Sequence, residues 1–110
     1  MYPRLSKGNA VLLALWAIAK GKRIFAFPPI EFIRVVLYVH YGLYLSQMSV
    51  SRFHGRLTEK GLIAKWSRPL KIHGDHVADE MMCRFEKEAL TLINEDLQTY
   101  VLQLNKTGEG

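Results

Sequence analysis

The sequence predicts an α+β fold with elements in the order α-β-α-α-β-β-α. Three observations lead there. Two apolar stretches bounded by Ser, Pro and Gly have helical length, and a third segment, 47–60, has helical periodicity. Two short apolar runs, 62–66 and 81–85, flank a polar turn-rich stretch and read as paired strands. A last segment, 86–104, repeats apolar residues at near-heptad spacing.

The elements follow in order. Ser6 is a good N-cap, and Asn9–Lys20 is apolar almost all round, the mark of a buried helix. Gly21 supplies its stop, with Lys20 and Lys22 near the negative helix end. Arg23-Ile-Phe-Ala-Phe has strand character. Pro28-Pro29 opens a second helix to about Tyr41. Its β-branched residues leave a strand as the alternative, but length, the Pro start and Glu31 in the first turn favour helix. Gly42 ends it, and the apolar residues between Ile24 and Leu45 read as core.

Ser46 caps a third helix of about Gln47–Lys60, with Val50, Phe53 and Leu57 on its inward face and Gly61 at its end. Leu62–Trp66 and Met81–Phe85 are the strand pair. Between them lie Pro69, His73-Gly74-Asp75 and Asp79 as turn and loop residues. Tail residues 105–110 are expected to fray. With 110 residues and 49% hydrophobic content, the chain has the dimensions of one globular domain, with its core over 6–85 and a C-terminal helix over 86–104.

Charge is unevenly placed. Residues 1–73 hold twelve Lys/Arg against Glu31 and Glu59 alone, a net +10. Residues 74–110 hold three against eight acids, a net −5. The basic part suits a polyanion, and the acidic part is expected to face away from it. The lone Cys83 cannot form an internal disulfide, which suits a reducing, cytoplasmic setting. Neither apolar run has the length or continuity of a bilayer span, and no small-residue cleavage site follows the first.

The stretch Ser49-Val-Ser-Arg-Phe-His-Gly-Arg-Leu-Thr-Glu-Lys-Gly-Leu-Ile63 resembles the recognition helix and exit turn of bacterial winged-helix regulators of the MarR and PadR kind. In those families a V-S-R segment often precedes L-x-x-K-G-L-I. Val50-Ser51-Arg52 and Leu57 to Ile63 match in type and spacing. The likeness covers about 15 residues, and the element order extends it loosely over the chain. It implies a winged helix-turn-helix centred on residues 46–73. Gly55 inside the helix departs from the pattern, as does the length of the second helix. Gly55 suggests a bend, or a close approach by a neighbouring helix or by DNA.

The physics of a polar helix in a major groove gives the same expectation without the family. Ser46, Gln47, Ser49 and Arg52 are placed to read bases, and Arg56 and Lys60 to hold phosphates. Lys65, Arg68 and Lys71 are expected to reach the backbone or minor groove from the wing. The leading reading is therefore a homodimeric regulator of transcription that binds double-stranded DNA, with no enzymatic activity and no cofactor. Leu90, Ile93, Leu97, Val101 and Leu104 are expected to form the dimer seam. The alternatives are a winged-helix adaptor that binds protein, and a membrane-associated chain with residues 10–45 embedded.

Other constellations carry less. His73, His76 and Asp79 lie on a short loop with no cysteine nearby, and no metal is expected. Cys83 lies in an apolar run, where a thiol is inert. Trp16, Phe25, Phe27, Phe32, Tyr38, Tyr41 and Phe53 read mainly as core, and Tyr44 and Trp66 as partly exposed. No phosphate loop or catalytic motif is present.

Overall fold

A computed structural model describes residues 6–94. Leu97, Val101, Leu104 and the tail 105–110 lie outside the described residues. The described chain is α+β: four helices and a three-stranded antiparallel sheet in the order β1-β3-β2.

Helix α1 (Lys7–Ala19) starts two residues earlier than the apolar pattern implies, because Ser6 sets the start. Its side-chain oxygen accepts from the Asn9 N–H at 3.1 Å. Six consecutive residues, Ala10 to Leu15, are buried. A helix buried over most of its circumference is the centre of a layered core. Lys20 (φ 54°) and Gly21 (φ 79°) turn the chain out of it.

Strand β1 (Ile24–Ala26) turns only Phe25 inward, stacked on Phe85 with ring centroids 5.1 Å apart. Helix α2 (Ile30–Tyr41) is a helix despite its β-branched residues, with Pro29 just outside its first turn. Its burial departs from expectation: only Ile33 and Leu37 are buried, while Phe32, Val35, Tyr38 and Val39 face outward. Apolar composition here does not mean core. Helix α3 (Gln47–Glu59) starts at the Ser46 cap and buries Val50 and Leu57, with Phe53 half-buried beside them.

The largest departure is the hairpin. Strands β2 (Ile63–Ile72) and β3 (Asp75–Phe85) run through the stretch read as loop. They are joined by His73-Gly74, both with positive φ (53° and 85°). Two such residues make the type I′ turn whose twist matches the flanking strands. Pro69 fits because β2 is an edge strand, which need not donate on its outer side. The register shifts beyond Leu70↔Ala78 to Lys71↔His76, leaving Val77 as the extra residue of a bulge. Residues 67–79 are all exposed, so this half of the hairpin projects as an arm.

Helix α4 (Lys87–Leu92) returns to the same core through Ala89 and Ile93. The core therefore does not end at residue 85. Ile93 is fully buried and Leu90 half-buried within this chain, so the first two residues of the expected dimer seam are committed to the chain's own packing. No helix among the described residues is long and apolar enough to cross a membrane.

Candidate nucleic-acid interface

Helix α3 positions most of the candidate residues. At 100° per residue, Arg52, Arg56 and Lys60 follow one another at i, i+4 and i+8, and their side chains form a row along one side of the helix. All three are exposed, and among the described residues none is in an ion pair. The Arg56 guanidinium lies 5.4 Å from the Phe53 ring centroid, which steadies it without neutralising it. Ser49 lies beside the start of the row. Gln47 lies about 140° around the helix from Arg52, so it and the row do not share one edge.

Ser46 has a structural task. Its hydroxyl accepts from the Ser49 N–H at 3.1 Å and donates to Ser49 Oγ at 3.0 Å. The backbone N–H groups of Gln47 and Met48 precede the first intrahelical bond, which leaves the helix end positive.

The row runs towards the start of α1. A cavity of about 360 Å³ lies between Arg56 and Lys60 on one side and Lys7, Gly8 and the Ser6 cap on the other. Lys7 thus extends the basic row from a distant part of the sequence. Sequence reasoning missed it. The capping serine beside it was visible, but the packing of α1 on α3 was not.

The arm is less basic than expected. Side chains alternate along a strand, so Lys65 and Lys71 share the sheet face nearer α3 and Arg68 points the other way. Arg68 is also held by Glu80 of β3, Nη2 to Oε2 at 2.9 Å. The Lys65 amine sits 4.4 Å from the Phe27 ring centroid and is half-buried at the base of the arm. Only Lys71 remains exposed and outside any ion pair among the described residues. The expectation that the acidic part faces away does not hold on the arm. Antiparallel pairing lays Asp75, Asp79 and Glu80 directly alongside basic β2.

His54 joins α3 to the sheet, its ring 5.0 Å from that of Phe27. Its Nδ1 is buried and has no hydrogen-bond partner among the described residues. Burial lowers its pKa from the usual histidine value, and the nearby Lys65 charge lowers it further. Cys83 is buried under the same sheet face, and burial pushes its thiol up to about 11. His76 and Asp79 bond to each other at 2.9 Å on the arm. Among the described residues no three His, Cys, Asp or Glu gather as a metal site would require. Gly55 lies on the outer side of α3, and a Cβ there would meet nothing within 4 Å. The helix runs unbroken through it, and no neighbouring helix among the described residues comes within 4 Å of that position.

What this surface offers chemically is a line of exposed cations beside two helix N-termini, suited to an extended polyanion. Compared with protein-family models, with curated proteins and with solved structures, the chain matches none, and the interface is read from its own geometry.

Proposed function

We propose that the chain is a winged-helix protein that binds double-stranded DNA and regulates transcription from the cytoplasm. In this reading α2 and α3 are the helix-turn-helix, α3 enters the major groove, and the β2–β3 arm is the wing. The observation that carries it is the Arg52–Arg56–Lys60 row. Like charges four residues apart on a helix destabilise it by about 0.2–0.5 kcal/mol per pair. Two such pairs, with no acid among the described residues bonded to them, make little sense for folding and good sense for phosphate. Lys7 and Lys71 lengthen the footprint.

The test is anisotropy of a random 30-base-pair duplex titrated with the protein across a salt series. Binding whose logarithm falls steeply and linearly with log salt supports the reading, since each neutralised phosphate contributes about −0.9 to the slope. No binding at low salt overturns it.

One observation favours a second reading, a protein-binding adaptor. The arm carries exposed Leu70, Ile72 and Val77 among charges of both signs. Such a surface suits a protein better than a phosphate backbone. Retained DNA binding after Ile72→Ser and Val77→Ser, with loss of a captured protein partner, would favour the adaptor role for the arm alone.

A further inference from the structure

The exposed face of α2 carries a cluster of large apolar side chains. Phe32 is 50% exposed, Val35 54%, Tyr38 61% and Val39 69%, and Tyr44 just beyond the helix is 76% exposed. Tyr38 and Tyr44 meet edge to face, centroids 6.3 Å apart. Val35, Tyr38 and Tyr44 line one shallow cavity of about 310 Å³ with Leu45 beneath. An aromatic side chain offers about 150–250 Å², so these five leave on the order of 600 Å² exposed. That is the upper end of the largest apolar patch on a typical monomer, about 300–600 Å². It approaches the roughly 800 Å² per partner that a stable interface of standard size buries.

We infer that this face is a homodimer interface in which α2 packs antiparallel on α2 of a second copy. The spacing is self-complementary. Phe32, Val35 and Val39 recur at i, i+3 and i+7, a helix-pairing seam. Antiparallel pairing centred between Val35 and Val36 sets Phe32 of each copy against Val39 of the other. An isologous contact needs such a surface that matches itself.

At one edge of the patch Lys20 and His40 line a shallow cavity with Phe32 and Val36. At the other edge Glu31 and Arg34 bond to each other at 2.9 Å, and Arg34 Nε also donates to the Leu45 carbonyl at 2.8 Å. The inference relocates the dimer contact from the C-terminal seam, of which Ile93 is buried inside this chain. It stands apart from DNA binding, although Tyr44 lies two residues before the α3 cap and the interface borders that helix's first turn.

Sedimentation velocity of the full chain without DNA, from about 1 to 100 μM, tests it. The wild type is expected to sediment at twice the 12.6 kDa chain mass. Val35→Lys and Val39→Glu each place a charge on an exposed helix position, and circular dichroism checks that both still fold. Each is expected to weaken dimerisation at least about 100-fold, the scale of a buried unpaired charge. Leu97→Glu, on the C-terminal seam, is expected to leave the mass unchanged. A monomeric wild type at 100 μM overturns the inference. So does a dimer that survives both α2 variants, or one that only Leu97→Glu dissociates. With no DNA present, each of these outcomes leaves the DNA reading standing, and a failed DNA titration leaves this one standing.

Discussion

Arg68 on β2 and Glu80 on β3 face each other across the arm, with Nη2 2.9 Å from Oε2. The pair is half exposed, so it adds little stability, about 0–1 kcal/mol before screening by salt. Its consequence is electrostatic: the acid occupies a cation that would otherwise be free for phosphate. Glu80→Gln is therefore expected to tighten binding to random duplex a few-fold at low salt and to steepen the salt slope by about one. Arg68→Ala in the wild-type background is expected to move neither by much. A Glu80→Gln protein with unchanged affinity would place the arm outside the DNA contact.

The basic row on α3 separates stability from affinity in one substitution. Arg56→Gln relieves repulsion from two like-charge neighbours, Arg52 and Lys60, worth about 0.4–1 kcal/mol. Against this, loss of the Phe53 ring contact costs about 0.5–1 kcal/mol, so stability is expected to change little. The same change is expected to lower the salt slope by about one and weaken all duplexes alike. Urea denaturation and anisotropy on the same preparation separate the two effects. A protein weakened in both would mean that Arg56 serves the fold.

Gly55 invites a similar contrast. Its Cβ position opens to solvent on the outer face of α3. Alanine is more favourable than glycine inside a helix by about 0.5–1 kcal/mol, and nothing among the described residues opposes the added methyl. Gly55→Ala is expected to raise the denaturation midpoint. If α3 lies deep in the groove, the methyl meets DNA, and affinity is expected to fall several-fold. Gain in both stability and affinity would show that nothing approaches Gly55 closely.

His54 sets a pH dependence. Its folded-state pKa is depressed, first by burial and then by Lys65. The unfolded chain therefore takes up a proton at higher pH than the native one. The stability His54 contributes is complete above the unfolded value of about 6.5 and is lost as pH falls below it. Thermal unfolding between pH 7 and pH 5 is expected to show a falling midpoint, and His54→Gln is expected to flatten that fall. An equal fall in both proteins would assign it to other groups.

How far the sequence was legible follows from where each signal originates. Ser6 and Ser46 cap the helices they were read as capping, and Gly42 and Gly61 end theirs, because capping is local chemistry. The distal halves of β2 and β3 were not legible. They have no buried face, so no apolar alternation marks them, and only His73-Gly74 hinted at a tight hairpin. The charge split also misled, since antiparallel pairing folds the acidic segment back onto the basic one. Lys65 and Arg68 were grouped by sequence nearness, although a separation of three residues puts them on opposite faces of a strand. Helix α2 shows the converse error, since its outward residues are as apolar as its inward ones. Lys7 needed the packing of α1 on α3, which no local signal carries.

Cys83 was read as an inert strand thiol, and its surroundings give that reading a measurable form. It is fully buried, and burial pushes its pKa up to about 11, although the charge on Lys65 pulls the other way. At pH 8 a thiol of that pKa is about one part in a thousand thiolate, against roughly a quarter for an ordinary cysteine near 8.5. Thiolate is the reactive form, and here it is also shielded from reagent. The native protein is therefore expected to resist an aromatic disulfide reagent for hours at pH 8 and to react at once in 6 M urea. Lys65→Met removes the one nearby charge that favours the thiolate and is expected to slow any residual native reaction further. Stoichiometric labelling of the native wild type within minutes would mean that the β3 face opens readily, and would make Cys83 a candidate oxidation sensor.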